Sequence, residues 1–133
     1  MVEHPKSDDL LVESCLKDLG IFSRVDWDVL VFLYRHQTSL TSAEQIARLL
    51  GYSSSVVGDA LDNLESIQLV QRSRASLGVR FYQFIISEAH RLPESCFSRL
   101  MGLASNRTGR LLLAKKLREI SSLRVAEKGA KDG

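Results

Sequence analysis

The segment from Leu40 to Phe84 constrains the fold most, because its hydrophobic period changes along the way. Two helical patterns come first, separated by Gly51 and a short run of serines. The chain then becomes rich in β-branched and aromatic residues on both sides of a loop with turn chemistry, which predicts a β-hairpin. A helix, a tight turn and a second helix form a helix-turn-helix, and a hairpin directly after them forms a wing.

The same periods predict the remaining elements. The fold class we expect is mainly α with a small β-hairpin, a winged helix-turn-helix with flanking N- and C-terminal helices. A chain of 133 residues fits one compact domain, 1–133. Its expected parts are an N-terminal helix 7–22, the winged helix-turn-helix 24–86, C-terminal helices 93–126 and a disordered tail 127–133. Within them the second helix of the motif covers about 54–68, and the wing about 70–84.

Helix boundaries follow from capping chemistry. Ser7 is suited to begin the first helix, and Pro93 to stand in the first turn of the last helical region. A capping box before the third helix is compatible with two registers, Thr41 with Glu44 or Ser42 with Gln45.

The N-terminus and the cysteines indicate the cellular compartment in which the protein is expected. No basic stretch followed by an apolar run opens the chain, so we expect no signal peptide, and the longest apolar run, 29–34, is too short to span a membrane. We therefore expect a cytoplasmic protein. Cys15 and Cys96 lie far apart among apolar residues, which favours buried free thiols over a disulfide or metal ligands.

Enzyme chemistry has no support in the sequence. His4, His36 and His90 share no spacing with cysteines or carboxylates that is typical of a metal site. Neither a glycine-rich phosphate loop nor a nucleophile elbow is present. We expect no catalysis and no cofactor.

The segment 40–84 resembles the winged-helix domains of the MarR and, as second choice, the ArsR families of bacterial regulators. Such domains commonly contain an alanine and a Leu-Gly pair at the end of one helix. The motifs Ser-x-Ser/Thr-x-Val and Leu-x-x-Leu-Glu follow, and then Leu-Val before a basic wing. The matching residues here are Ala47, Leu50, Gly51, Ser53, Ser55, Val57, Leu61, Leu64, Glu65, Leu69 and Val70.

The resemblance implies a dimeric transcription regulator that binds double-stranded DNA. Its second helix would enter the major groove, and its wing would lie on the flanking backbone or minor groove. The terminal helices of two chains would form the homodimer. The candidate DNA-binding residues are Ser53, Ser54, Ser55, Asp59, Asn63, Arg72, Arg74 and Arg80.

The charges are unusual for this function. Residues 54–68 contain no lysine or arginine and three acids, Asp59, Asp62 and Glu65. A carboxylate near phosphates is repelled unless it accepts from cytosine N4. Residues 1–71 carry a net charge of −6 and residues 72–133 one of +8, which fits either a surface for a polyanion or mutual attraction of the halves. The wing arginines fit DNA contact, simple solvation of a hairpin, or pairing with Asp59 and Asp62.

Two further interpretations stay open. The rival function is a winged-helix protein-interaction module that uses the acidic face of helix 54–68 and binds no DNA. A small-molecule effector is the other, since the resemblance allows a ligand pocket. The aromatic residues available to line such a pocket would otherwise be plain core: Trp27, Phe32, Tyr34 and Tyr52.

Overall fold

The computed structural model describes the backbone of residues 5–73 and 77–132, and the side chains of residues 10–73 and 77–122. Its mainly helical architecture with one small sheet confirms the expected fold class. The elements in chain order are α1 (Pro5–Leu19), α2 (Arg24–Arg35), β1 (Thr41–Ser42), α3 (Ala43–Leu50), α4 (Ser54–Ser66), β2 (Val70–Arg72), β3 (Phe81–Phe84), α5 (Glu88–Arg91), α6 (Cys96–Ala104) and α7 (Arg107–Asp132).

The chain folds into two compact units. One consists of residues 25–88 and is called here the winged-helix unit. The other, the terminal-helix unit, combines the described parts of residues 1–24 and 89–133. The helices that flank the motif in sequence therefore pack with each other into a unit of their own.

Local capping chemistry sets the boundaries of α3. The Ser42 hydroxyl accepts a hydrogen bond from the Gln45 backbone N–H at 3.2 Å, and the Gln45 side chain accepts from the Ser42 N–H at 3.0 Å. Of the two possible registers, the capping box with Ser42 is thus the one that forms. Gly51 ends the helix with φ of 82°, a left-handed conformation that glycine adopts without steric cost.

The sheet has three antiparallel strands in the order β1-β3-β2. The wing strands β2 and β3 pair in the register Val70 with Phe84 and Arg72 with Tyr82. Strand β1 was not predicted, because two residues carry no detectable period. It exists because β3 offers a free edge, on which Thr41 pairs with Tyr82.

Each unit has an apolar core. In the winged-helix unit the apolar faces of its helices and strands meet, and the fully or nearly fully buried residues include Trp27, Leu30, Leu33, Ile46, Val57, Leu61, Leu64, Leu69, Tyr82 and Phe84. In the terminal-helix unit α1, α6 and α7 pack against one another. Their buried residues include Val12, Cys15, Leu16, Phe97, Leu100, Leu113, Leu117 and Ile120.

Several predicted boundaries need correction. Helix α1 begins at Pro5, two residues before the expected cap Ser7. Helix α6 begins after Ser95, whose hydroxyl accepts from the Ser98 N–H at 3.1 Å, and Pro93 lies outside it. The short helix α5 was not predicted. Helix α7 continues to Asp132, through most of the stretch expected to be a disordered tail.

The prediction of free thiols was wrong. Cys15 on α1 and Cys96 on α6 form a disulfide, with Cα atoms 5.0 Å apart. Their separation of 81 residues hid the pairing, because only the packing of α1 on α6 brings the two positions together.

Candidate nucleic-acid interface

Helix α4 presents one exposed face and one buried face. Val57, Leu61 and Leu64 are fully buried in the winged-helix unit. On the opposite side, one residue per turn is exposed, as the helical period requires: Ser55, Asp59, Asp62 and Ser66. This exposed row, called here the outer face of α4, is the part of the motif that is free to meet a partner.

The N-terminus of α4 is built from the serine run. The Ser53 hydroxyl accepts from the Val56 backbone N–H at 3.2 Å and caps the helix. Ser54 and Ser55 follow as the first two helical residues, and both side chains are exposed. The N–H groups of the first turn have no acceptor four residues back, and the helix dipole gives this end partial positive charge. An anion such as a phosphate would find donors here.

Asn63 differs from the other candidates. It is half-buried, and its side-chain Nδ2 donates to Oδ2 of Asp26 on α2 at 2.8 Å. A second hydrogen bond joins the turn before α4 to α2: the Tyr52 hydroxyl donates to Oδ2 of Asp28 at 2.6 Å. These two bonds orient α4 within the motif. Sequence reasoning missed both, since the partners lie 37 and 24 residues apart and no local pattern links them.

The wing begins shortly after α4 ends. Ser73 extends the pairing of β2 and β3, since its N–H donates to the Phe81 carbonyl at 2.8 Å and its hydroxyl accepts from the Phe81 N–H at 3.0 Å. Leu77, fully exposed, and Gly78 both adopt positive φ at the tip. Arg80 is exposed immediately before β3. Arg74 lies outside the described residues.

Arg72 connects the wing to α4. Its Nε lies 3.3 Å from Oε2 of Glu65, and both side chains are about one-third exposed. One of the three alternatives left open by the sequence is that the wing arginines pair with Asp59 and Asp62. Within the described residues, however, the ion pair of Arg72 is with Glu65, and neither Asp59 nor Asp62 is paired. The pair offsets one charge of α4 and leaves its outer face acidic.

The four aromatic candidates for a ligand pocket have structural roles. Trp27 is 5% exposed in the core, and Tyr34 packs edge-on against Phe84 with ring centroids 5.4 Å apart. Phe32 stacks on His36, and Tyr52 bonds Asp28 as described. All four residues therefore help to hold the winged-helix unit together through packing contacts or hydrogen bonds.

The described residues also bear on other classes of function. No group of three or more histidine, cysteine or acidic side chains suited to a metal ion occurs among them. Likewise, no helix within that part of the chain is both long and apolar enough to cross a membrane.

A helix-turn-helix with an exposed second helix, closed by a hairpin that follows directly, defines a winged helix-turn-helix protein. Residues 22–77 match the sequence model of the MarR family. The resemblance to MarR-like regulators is therefore confirmed for the segment that contains the motif. No curated protein matches the sequence.

Solved structures support the fold over nearly the whole chain. A crystal structure of an S. aureus MepR–DNA complex matches with a TM-score of 0.52 and 14% identity, covering 96% of this chain and 89% of the other. A single-residue variant of S. aureus MepR bound to an oligodeoxyribonucleotide matches with a TM-score of 0.52 and 22% identity, covering 84% and 86%. Because these identities are low, the likeness concerns the fold alone.

Proposed function

We propose that this protein is a dimeric transcription regulator that binds specific sequences of double-stranded DNA in the cytoplasm and is not an enzyme. The observation that carries the proposal is the outer face of α4, which stays exposed between a capped N-terminus and a wing. The match to the MarR family and the likeness to MepR structures that contain DNA support it.

In the proposed complex, α4 lies in the major groove. Ser54 and Ser55, with the free N–H groups of the first turn, would hold a phosphate, after Ser53 has capped the helix. Asp59 projects from the middle of the outer face and would reach base edges. A carboxylate there accepts from cytosine N4 and repels phosphates, so it favours sites with a suitably placed C·G pair.

The wing supplies the cations that α4 lacks. Arg80 is exposed and has no ion pair within the described residues, and Arg72 is held beside the helix by Glu65. Together with Arg74 they would contact the flanking backbone or a narrow minor groove. Because the protein has few such cations near α4, we expect modest affinity with a clear dependence on salt.

A dimer would place two copies of α4 about one helical turn of DNA apart, or roughly 34 Å, in successive major grooves. We assign the dimer contact to the terminal helices, as the MarR resemblance implies. A small-molecule effector would then act by changing the spacing of the two α4 helices. The aromatic groups described above are engaged in packing contacts and hydrogen bonds within the winged-helix unit.

The test is fluorescence anisotropy of a labelled mixed-sequence duplex at two salt concentrations. Binding should weaken clearly as the salt concentration rises. Arg72→Ala combined with Arg80→Ala should weaken binding to all sequences and reduce the salt slope by about 2, one for each phosphate contact. Arg91→Ala combined with Arg99→Ala removes the same charge from exposed positions outside the winged-helix unit and serves as the matched control. Absence of binding at low salt would overturn the proposal.

The rival function, a protein-interaction module, is favoured by one observation. Asp59 and Asp62 form an exposed acidic row without ion pairs in the described part of the chain. Such a row would suit a basic partner surface. This function predicts no affinity for duplex DNA at any salt concentration, and binding to a basic protein that is lost in Asp59→Asn with Asp62→Asn.

A further inference from the structure

Gly58 lies in the interior of α4, where the fold gives no reason for a glycine. A Cβ built at this position would meet nothing within 4 Å, so the structure has room for an alanine. The residue belongs to a regular stretch of α-helix, so no unusual backbone angle requires glycine either. Glycine in a helix interior lowers stability relative to alanine, and one use of glycine is to let a ligand come close to the backbone. This points to a partner that closely approaches α4 at position 58.

Gly58 and Val56 border the outer face of α4 on its two sides. Gly58 precedes Asp62 by four residues and Val56 precedes Asp59 by three, so each lies next to the exposed row. Val56 is 41% exposed, whereas the core buries its neighbour Val57 completely. The apolar side chain of Val56 is therefore available to a partner of α4.

The exposed side chains of α4 are all short. Residues 54–66 contain no lysine, arginine, glutamine or histidine, and the one asparagine, Asn63, is bonded to Asp26. Guanine is usually read by arginine or lysine, and adenine by asparagine or glutamine. The surface of α4 instead offers an apolar group at Val56 and an acceptor at Asp59. These match the pyrimidines, because in the major groove thymine presents a methyl group and cytosine presents an N4 amino donor.

We propose that α4 reads the edges of two neighbouring pyrimidines at close range. Val56 contacts the methyl group of a thymine, Asp59 accepts from N4 of a cytosine, and Gly58 lets the helix come near enough for both contacts. Residues three apart in a helix have Cβ atoms about 5–6 Å apart, and successive bases of a strand lie about 3.4 Å apart. The two side chains thus reach adjacent base pairs. The inference rests on the proposed function and names the DNA sequence feature that the site recognises.

The close approach follows from the length of the side chains. Valine and aspartate end nearer to the helix backbone than arginine or glutamine does, so α4 has to lie deeper in the groove to touch base edges. A methyl group at position 58 would project at the border of the outer face and hold the helix away from the DNA. Stability and binding should therefore respond in opposite directions to an alanine at this position.

The first test compares Gly58→Ala with Gly102→Ala, which adds a Cβ in equally open space on α6. Both variants should raise the unfolding temperature by about 2–4 °C. The probe is a duplex that the wild-type protein selects from a randomised pool, and binding is measured by anisotropy. Gly58→Ala should bind it several-fold more weakly than the wild type, and Gly102→Ala should bind it equally well. A Gly58→Ala variant that binds like the wild type, or that is less stable, would overturn the role of Gly58.

The second test changes single groups of the selected duplex. Each thymine in turn is replaced by uracil, which lacks only the methyl group. Each cytosine is replaced by N4-methylcytosine, which keeps its base pair and blocks the N–H in the major groove. One uracil should weaken wild-type binding about fourfold, as expected for one buried methyl group. One N4-methylcytosine, at an adjacent base pair, should weaken binding about tenfold.

Protein variants connect each effect to its side chain. Val56→Ala should lose the response to uracil, and Asp59→Ala should lose the response to N4-methylcytosine. Leu92→Ala removes an exposed apolar group outside the winged-helix unit and should respond to both bases like the wild type. If the wild type binds the duplex and neither base changes its affinity, the pyrimidine readout is wrong and the proposed function stands. If the wild type binds no duplex at low salt, the proposed function fails and this inference fails with it.

Discussion

The side-chain amide of Asn63 on α4 donates a hydrogen bond to the carboxylate of Asp26 on α2, with Nδ2 and Oδ2 2.8 Å apart. The bond ties the C-terminal half of α4 to α2, the helix that precedes the motif. The Tyr52 hydroxyl makes a parallel tie to Asp28 at 2.6 Å. Acidic residues of α2 therefore help to set the orientation in which α4 is presented.

Asn63→Ala should lower the free energy of unfolding by about 1–3 kcal/mol, because a hydrogen bond to a half-buried carboxylate is lost. Asp62→Ala changes the neighbouring, exposed position of α4 and should alter stability by less than about 0.5 kcal/mol. Urea unfolding of both variants gives the comparison. Equal stabilities would mean that the bond to Asp26 contributes nothing to the fold.

Asp59→Lys should raise the affinity for mixed-sequence duplex by roughly tenfold at low salt, because a repelling charge on the outer face of α4 becomes an attracting one. Glu94→Lys makes the same change in net charge at an exposed position outside the winged-helix unit, and should have a smaller effect. Anisotropy titrations at two salt concentrations separate the two variants. If both raise affinity equally, α4 does not face the phosphates.

Gln68→Gly should raise the free energy of unfolding by about 1 kcal/mol, because Gln68 has a φ of 64° just after α4, where a side chain is strained and glycine is not. Gln71→Gly is the matched control in strand β2, where the backbone is extended and glycine only adds freedom to the unfolded chain. That variant should lose about 0.5–1 kcal/mol. Urea unfolding in which Gln68→Gly is the less stable of the two would contradict the prediction.

Gly109→Ala should destabilise the terminal-helix unit by about 3 kcal/mol. Gly109 is buried near the start of α7, and a Cβ built there would overlap the carbonyl oxygen of Leu103. At Gly102 on α6 a Cβ would meet nothing within 4 Å. Gly102→Ala should therefore stabilise the protein by about 0.5–1 kcal/mol through its better helix propensity. Thermal unfolding distinguishes the two, and equal effects would show that the backbones can separate at little cost.

Much of the candidate interface could be predicted from the sequence. The outer face of α4 follows from helical period alone, because Val57, Leu61 and Leu64 must be buried together and Ser55, Asp59 and Asp62 then point outward. The ion pair of Arg72 could not be predicted in the same way. Glu65 became its partner because β2 runs back beside α4, which depends on the turn between them.

The sequence by itself determined the local elements of this protein: the two helices of the motif, the glycine that ends α3, and the hairpin behind them. These depend on interactions between residues a few positions apart, so period and side-chain chemistry are sufficient. Only the tertiary structure decided that β1 adds to the wing, that Asn63 binds Asp26, and that Cys15 meets Cys96. Each of these contacts joins residues tens of positions apart, and such pairs meet only after the helices have packed.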